Sequence, residues 1–171
     1  LAKRAFIVGD LYAAEGGAHE GIRRLGAEGR ALDKVLYQAF VDRFGTDHLV
    51  IGDATDEQDV RRLGEVDGYW ASPPCQSASS MPGAGAGFTA SKETQLLPAT
   101  RAMLDRLGKP YVLENVMGAY SYGHMRKDVC LTNHMFGLRA YRPRVFEGSF
   151  PLQNELDARW LTKQCCLGSR N

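Results

Sequence analysis

The sequence predicts an α/β fold: a mixed, mostly parallel sheet with helices on its faces. Two observations carry that expectation. Short β-like apolar runs alternate along the chain with amphipathic stretches. Glycines and acids follow the carboxyl ends of several of those runs, where such sheets bind ligands. The chain has 171 residues, 44% of them hydrophobic and 24% charged, with a formal net charge of +1. This fits one globular domain large enough to bury a core and excludes a disordered chain.

The first strand is expected over Ala5 to Val8, ending at Gly9-Asp10. A glycine-rich turn follows, then a helix from about Ala18 to Leu25. A second strand ends near Leu32-Asp33. Leu36, Ala39, Phe40 and Phe44 recur at helical spacing. Leu49 to Ile51 reads as a third strand, stopped by Gly52-Asp53. Val60 and Leu63 mark a short helix, and Gly68 to Ala71 a fourth strand closed by Pro73-Pro74. Residues 77–91, SASSMPGAGAGFTAS, suggest a mobile active-site loop. Leu96 to Leu107 is helical by pattern, with Pro98 in its first turn. Tyr111 to Leu113 is a fifth strand, and Val129 to Thr132 and Val145 to Phe146 are later ones. From Leu152 onward little regular structure is expected apart from a turn near Trp160.

Composition narrows the function classes. No run approaches the roughly 20 apolar residues of a membrane span, and no secretory leader is expected at the start. Cys75, Cys130, Cys165 and Cys166 show no metal-ligand pairing; reduced thiols and a cytoplasmic setting are expected. The balanced charge argues against a free-standing DNA binder, which usually carries a basic excess.

Several segments carry chemistry. The stretch from Asp10 to Gly17 lies between a strand and a helix, where glycine lets the backbone approach a ligand and the helix start offers free N–H groups. Asp33 ends the next strand and can accept both hydroxyls of a ribose; Asp53 ends the third and can accept an adenine amino group. Helix caps and turn acids are the alternative. In Ser72-Pro73-Pro74-Cys75-Gln76, two prolines stiffen the backbone before a thiol, a potential nucleophile. The alternative is a small buried hydrophobe. Glu114 and Asn115 close an apolar strand; a partly buried glutamate has raised proton affinity and can donate to a substrate. Arg142 and Arg144 are expected on one face of a late strand, placed to hold phosphate or a polar base edge, or simply solvated.

The order of glycine loop, PPCQ, ENV and R-x-R resembles the DNA cytosine carbon-5 methyltransferases over about Ala5 to Phe150, in particular their short bacteriophage-type members. The resemblance implies a Rossmann-like S-adenosylmethionine-dependent methyltransferase fold. Residues 1–150 would form the catalytic domain and 151–171 a tail, with the family's target-recognition domain absent or truncated. Asp10, Leu11, Tyr12, Ala13, Gly16 and Gly17 would hold the methionine part of S-adenosylmethionine. Asp33 with Lys34 would hold its ribose and Asp53 with Ala54 its adenine, with Pro74 packed nearby. Cys75 would attack carbon 6 of a flipped-out cytosine in DNA. Glu114 would hold ring nitrogen 3, and Arg142 and Arg144 would contact the base and its phosphate. Ser72, Pro73, Gln76, Asn115 and Val116 would shape the pocket. The alternatives are a remnant without turnover, a chain completed by a partner, or the same chemistry on a free nucleotide or with another alkyl group. The sequence departs from the family pattern at Ala14, where a glycine is usual, and at Ala140, where a glutamine is common. For a phage-encoded chain the expected setting is the host cytoplasm.

Overall fold

A computed structural model of the chain describes residues 4–74, 96–121 and 123–152. Within them the elements run β1 (Ile7–Leu11), α1 (Gly17–Arg24), β2 (Glu28–Asp33), α2 (Gln38–Phe44), β3 (Leu49–Ile51), α3 (Glu57–Arg61), β4 (Gly68–Ala71), α4 (Leu96–Leu107), β5 (Tyr111–Val116), α5 (Met117–Ser121), β6 (Val129–Leu131), a 3-10 helix (Asn133–Phe136) and β7 (Arg144–Gly148). These strands make one sheet in the order β3-β2-β1-β4-β5-β7-β6. The five strands β1 to β5 are parallel to their neighbours; β7 runs antiparallel to both β5 and β6. This is a Rossmann-like arrangement, with strand order reversing beside β1.

The core explains the boundaries. Leu11, Leu32, Val60, Leu104, Leu113 and Val145 are fully buried in one cluster reaching from β2 to β7. β1 extends to Leu11, beyond the expected end at Val8, because Gly9 and Asp10 pair with β2 on one side and β4 on the other. Gly9 is required there: a Cβ would lie 2.7 Å from the Tyr69 ring. β5 also runs longer than expected. Glu114, Asn115 and Val116 stay in the sheet because Phe146, Val145 and Arg144 of β7 pair with them. α4 occupies Leu96–Leu107 as expected, with Pro98 in its first turn. The 3-10 helix and α5 have no counterpart in the sequence pattern.

Arg142 is a correction. The strand begins at Arg144, so the two arginines do not share a strand face; Pro143 separates an exposed loop residue from a half-buried strand residue. Proline supplies no ladder donor, which is why pairing starts after it.

A buried charge ties the far side of the sheet together. Glu147 on β7 is fully buried, and both its oxygens accept from Arg101 on α4, at 2.7 and 2.9 Å. The backbone N–H of Arg126 donates to it at 2.8 Å. Such a bidentate pair clamps α4 to the sheet.

Candidate active site

The parallel strands bring their carboxyl ends to one edge, and Asp33, Asp53 and Glu114 of the expected site lie along it. After β1 the backbone turns sharply: Tyr12 and Ala14 adopt φ values of 62° and 46°, in the left-handed region. The N–H groups of Tyr12 and Ala13 both donate to the carbonyl of Leu32, at 2.9 and 3.3 Å, and the Ala14 N–H donates to Asp33 Oδ2 at 2.9 Å. The loop is thus stitched to β2. Gly16, with φ 85°, opens α1; a Cβ there would strike the Phe44 and Phe40 rings. A Cβ on Gly17 would meet nothing within 4 Å, so this part of the turn is open.

Asp33 accepts one N–H on each oxygen, from Ala14 and from Val35 (3.0 Å). Each carboxylate oxygen has two acceptor sites, so capacity for hydroxyl donors remains. Asp53 is more committed. Its Oδ1 takes the N–H and hydroxyl of Thr55 at 2.8 and 2.7 Å, and its Oδ2 takes Lys34 Nζ at 2.8 Å. Burial works to raise its pKa, but Lys34 and Thr55 outweigh it and hold the carboxyl below its usual value. Val35 and Leu36, both more than half exposed, follow Asp33 and leave apolar surface beside it. Two carboxylates, an open glycine turn and exposed apolar side chains fit an adenosyl group with an amino-acid tail.

Four members of the expected cofactor set, Asp10, Leu11, Ala13 and Ala54, have buried side chains. Asp10 and Leu11 lie within β1 and, like Ala54, are about 1% exposed or less; Leu11 and Ala54 are core residues. Asp10 turns toward α1 and accepts the backbone N–H of His19. Its Oδ2 and the His19 Nδ1 lie 3.8 Å apart, and neither has a hydrogen-bond partner. Burial, with the negative charge of Asp33, pushes Asp10 up to about 7; burial, with His48 and Arg23, pushes His19 down to about 4. Ala13 is also buried, against Phe40. The sequence reading missed a contact here: the Tyr12 hydroxyl meets Thr100 Oγ1 at 2.6 Å, anchoring the turn to α4.

Across β4 and β5 lies a second cluster. Arg144 Nε sits 2.9 Å from Glu114 Oε1, and the Ser72 hydroxyl bonds to the same carboxyl group. Trp70 Nε1 donates to Ser72 Oγ at 2.8 Å, fixing that hydroxyl. Burial raises the Glu114 pKa, and the charges of Arg144 and Arg142 with the Ser72 bond only partly oppose it. The carboxyl group therefore has increased proton affinity and a fixed orientation. Asn115 is buried; its Nδ2 donates to the carbonyl of Pro73 at 3.0 Å, and its Oδ1 accepts the Val116 N–H at 2.9 Å. Pro73 is buried and Pro74 exposed, so the chain leaves the sheet there toward position 75. Cys75, Gln76 and the 77–91 loop lie outside the described residues, as do Cys165, Cys166 and the tail from residue 153. Among the described residues no group of three or more His, Cys, Asp or Glu side chains could hold a metal. No described helix is long and apolar enough to cross a membrane.

Residues 6–141 match the family model described as C-5 cytosine-specific DNA methylase. No curated protein matches the sequence significantly. Among solved structures, the Entamoeba histolytica methyltransferase EhMeth superposes with a TM-score of 0.65 at 15% identity, covering 90% of this chain and 56% of that one. The S. pombe Dnmt2 methyltransferase gives 0.60 at 17% identity, covering 89% and 52%. A mutant of Spodoptera frugiperda DNMT2 gives 0.58 at 17%, covering 88% and 53%. At these identities the likeness is one of fold, and the chain spans a little over half the length of each.

Proposed function

Because this chain belongs to the C-5 cytosine-specific DNA methylase family, we propose that it transfers a methyl group from S-adenosylmethionine to carbon 5 of cytosine in DNA, through a transient bond to Cys75. The observation that carries this reading is the Glu114 cluster. A half-buried carboxyl group of raised proton affinity, oriented by Arg144 and Ser72, stands beside the proline pair that leads to Cys75.

Carbon 5 of cytosine is a weak nucleophile. Addition of the Cys75 thiolate to carbon 6 makes the ring an enamine, and the electron pair reaches carbon 5. Glu114 holds nitrogen 3 and donates a proton or hydrogen bond to it, offsetting the charge that develops. S-adenosylmethionine, when bound, supplies an electrophilic methyl group; Asp33, Asp53 and the 12–17 turn are the residues that would hold it. Loss of the carbon-5 proton to a base then expels the thiolate. The target base must leave the duplex stack to meet these groups, at a cost of a few kcal/mol. Arg142 stands near enough to Glu114 to bias its charge and would meet the substrate phosphate. The thiol chemistry proposed for Cys75 suits a reducing compartment such as the cytoplasm.

Incubation with DNA containing 5-fluorocytosine and S-adenosylmethionine tests the proposal, because fluorine cannot leave as the proton does and the adduct is trapped. We expect a covalent complex that Cys75→Ala abolishes. Cofactor binding without an adduct on any DNA would instead support a remnant or a chain completed by a partner. An adduct with the fluorinated mononucleotide alone would move the chemistry to a free nucleotide.

A further inference from the structure

The connection between β6 and β7 exposes apolar side chains beside the Glu114 cluster. Phe136, Leu138 and Tyr141 are each more than half exposed and fall within six residues. The segment is well built. The 3-10 helix ends at Gly137, in the left-handed region at φ 73°, and the Leu138 N–H returns to the Asn133 carbonyl at 3.1 Å. The Tyr141 ring lies 6.0 Å from that of His134, which folds the second half of the connection back on the first.

Its place in the fold is set by pairing. Leu131, the end of β6, and Val116, the end of β5, both pair with Arg144, the start of β7. The connection therefore emerges at the sheet edge where Arg144 meets Glu114. Its charge is one-sided: residues 129–146 include Arg139, Arg142, Arg144 and His134 and no acid, in a chain whose net charge is only +1. A balanced total thus conceals a local basic stretch at the catalytic edge. Aromatic and apolar surface interleaved with arginines suits a strand whose bases have left their stack, since every base has a face to offer and every phosphate a charge.

We propose that residues 133–142 form a platform for unpaired DNA next to the target cytosine, with bases resting on Phe136, Leu138 and Tyr141 and phosphates on Arg139 and Arg142. This rests on the DNA reading above. The platform would give the chain a grip on its substrate within the described fold.

Anisotropy of a labelled single-stranded DNA, titrated at several salt concentrations, tests it. The same sequence is supplied as duplex and as RNA. Phe136→Ala should weaken binding to unpaired DNA about 5- to 160-fold, the range for loss of a stacked base. Arg139→Ala should lower the slope of log affinity against log salt by about 0.7. Phe6→Ala, an exposed phenylalanine preceding the amino end of β1, should change neither. Calorimetry with S-adenosylmethionine should give wild-type affinity for all three variants, confirming that they fold. If Phe136→Ala and Arg139→Ala bind DNA as wild type while the fluorocytosine adduct still forms, the platform is wrong and the enzymatic reading stands. If wild type neither forms an adduct nor binds any nucleic acid, both fail. Binding confined to intact duplex or to RNA also overturns the platform as proposed.

Discussion

Replacing Ala14 with glycine should stabilise the fold. Ala14 sits at φ 46°, in the left-handed region, with its N–H committed to Asp33 Oδ2. Holding an L-residue with a Cβ in that conformation costs about 1–2 kcal/mol. Glycine removes that cost but brings a more flexible unfolded chain, which returns about 0.4–1 kcal/mol. The Asp33 bond comes from the backbone and survives the change. Ala14 is exposed, so its methyl contributes little packing. The balance favours Ala14→Gly by about 0.5–1 kcal/mol. With a urea slope of about 2 kcal/mol/M, the unfolding midpoint followed by circular dichroism should rise by about 0.25–0.5 M. Ala14→Val should lower it, because a β-branched residue is still less at ease with positive φ. A midpoint that falls with glycine, or is indifferent to both changes, would refute the claim that this turn stores backbone strain.

Glu147→Ala should cost about 3–5 kcal/mol, since it strands the Arg101 guanidinium beside a buried cavity; a thermal melt with a large drop in midpoint checks this. Asp33→Ala should weaken S-adenosylmethionine binding by calorimetry. It should also cost about 1–2 kcal/mol, because the carboxylate caps two backbone N–H groups. The Asp10–His19 pair predicts a pH dependence. Asp10 has a folded pKa of about 7, above its ordinary 3.8, so its contribution to stability is present below about pH 4 and is lost as pH rises toward 7. His19, lowered to about 4 from 6.5, works the other way, losing stability as pH falls from 6.5 to 4. The two slopes oppose each other in wild type. Asp10→Asn should therefore gain stability relative to wild type as pH rises from 4 to 7 in urea titrations; a constant difference would show that Asp10 is not held neutral.

The parallel half of the fold was legible because its strands are short, apolar and punctuated. Gly68–Ala71, Leu49–Ile51 and the helix Leu96–Leu107 lie where periodicity places them. Polar residues inside strands were harder. Asp10, Glu114 and Asn115 look like the ends of runs, yet pairing with neighbouring strands keeps them in the sheet, a tertiary effect no local pattern contains. The same holds for Arg142 and Arg144: their spacing suggests one strand face, but Pro143 delays the ladder by its missing N–H. In the candidate site, the positions of Asp33 and Asp53 just at or after strand ends were legible and their commitments were not. The Lys34 and Thr55 contacts of Asp53, the Tyr12–Thr100 bond and the burial of Asp10 depend on which faces the fold turns inward.

The junction of β4 and β5 explains why an amide directly follows the glutamate. The parallel ladder between these strands runs to Ala71 opposite Leu113. Continued by one residue it would set Ser72 beside Glu114, and by another Pro73 beside Asn115. Side chains join both pairs: the Ser72 hydroxyl reaches the Glu114 carboxyl, and the Asn115 amide donates to the Pro73 carbonyl. Pro73 has no N–H, so backbone pairing cannot hold this extension, and the two side-chain bonds take its place. Successive strand residues face opposite sides. Glu114 can therefore serve the site while Asn115, buried on the other side, braces the proline that precedes it. If the proposed function holds, Asn115 would be a positioning residue: it would act through Pro73, two residues before Cys75, a task Glu114 cannot perform from its own face of the strand.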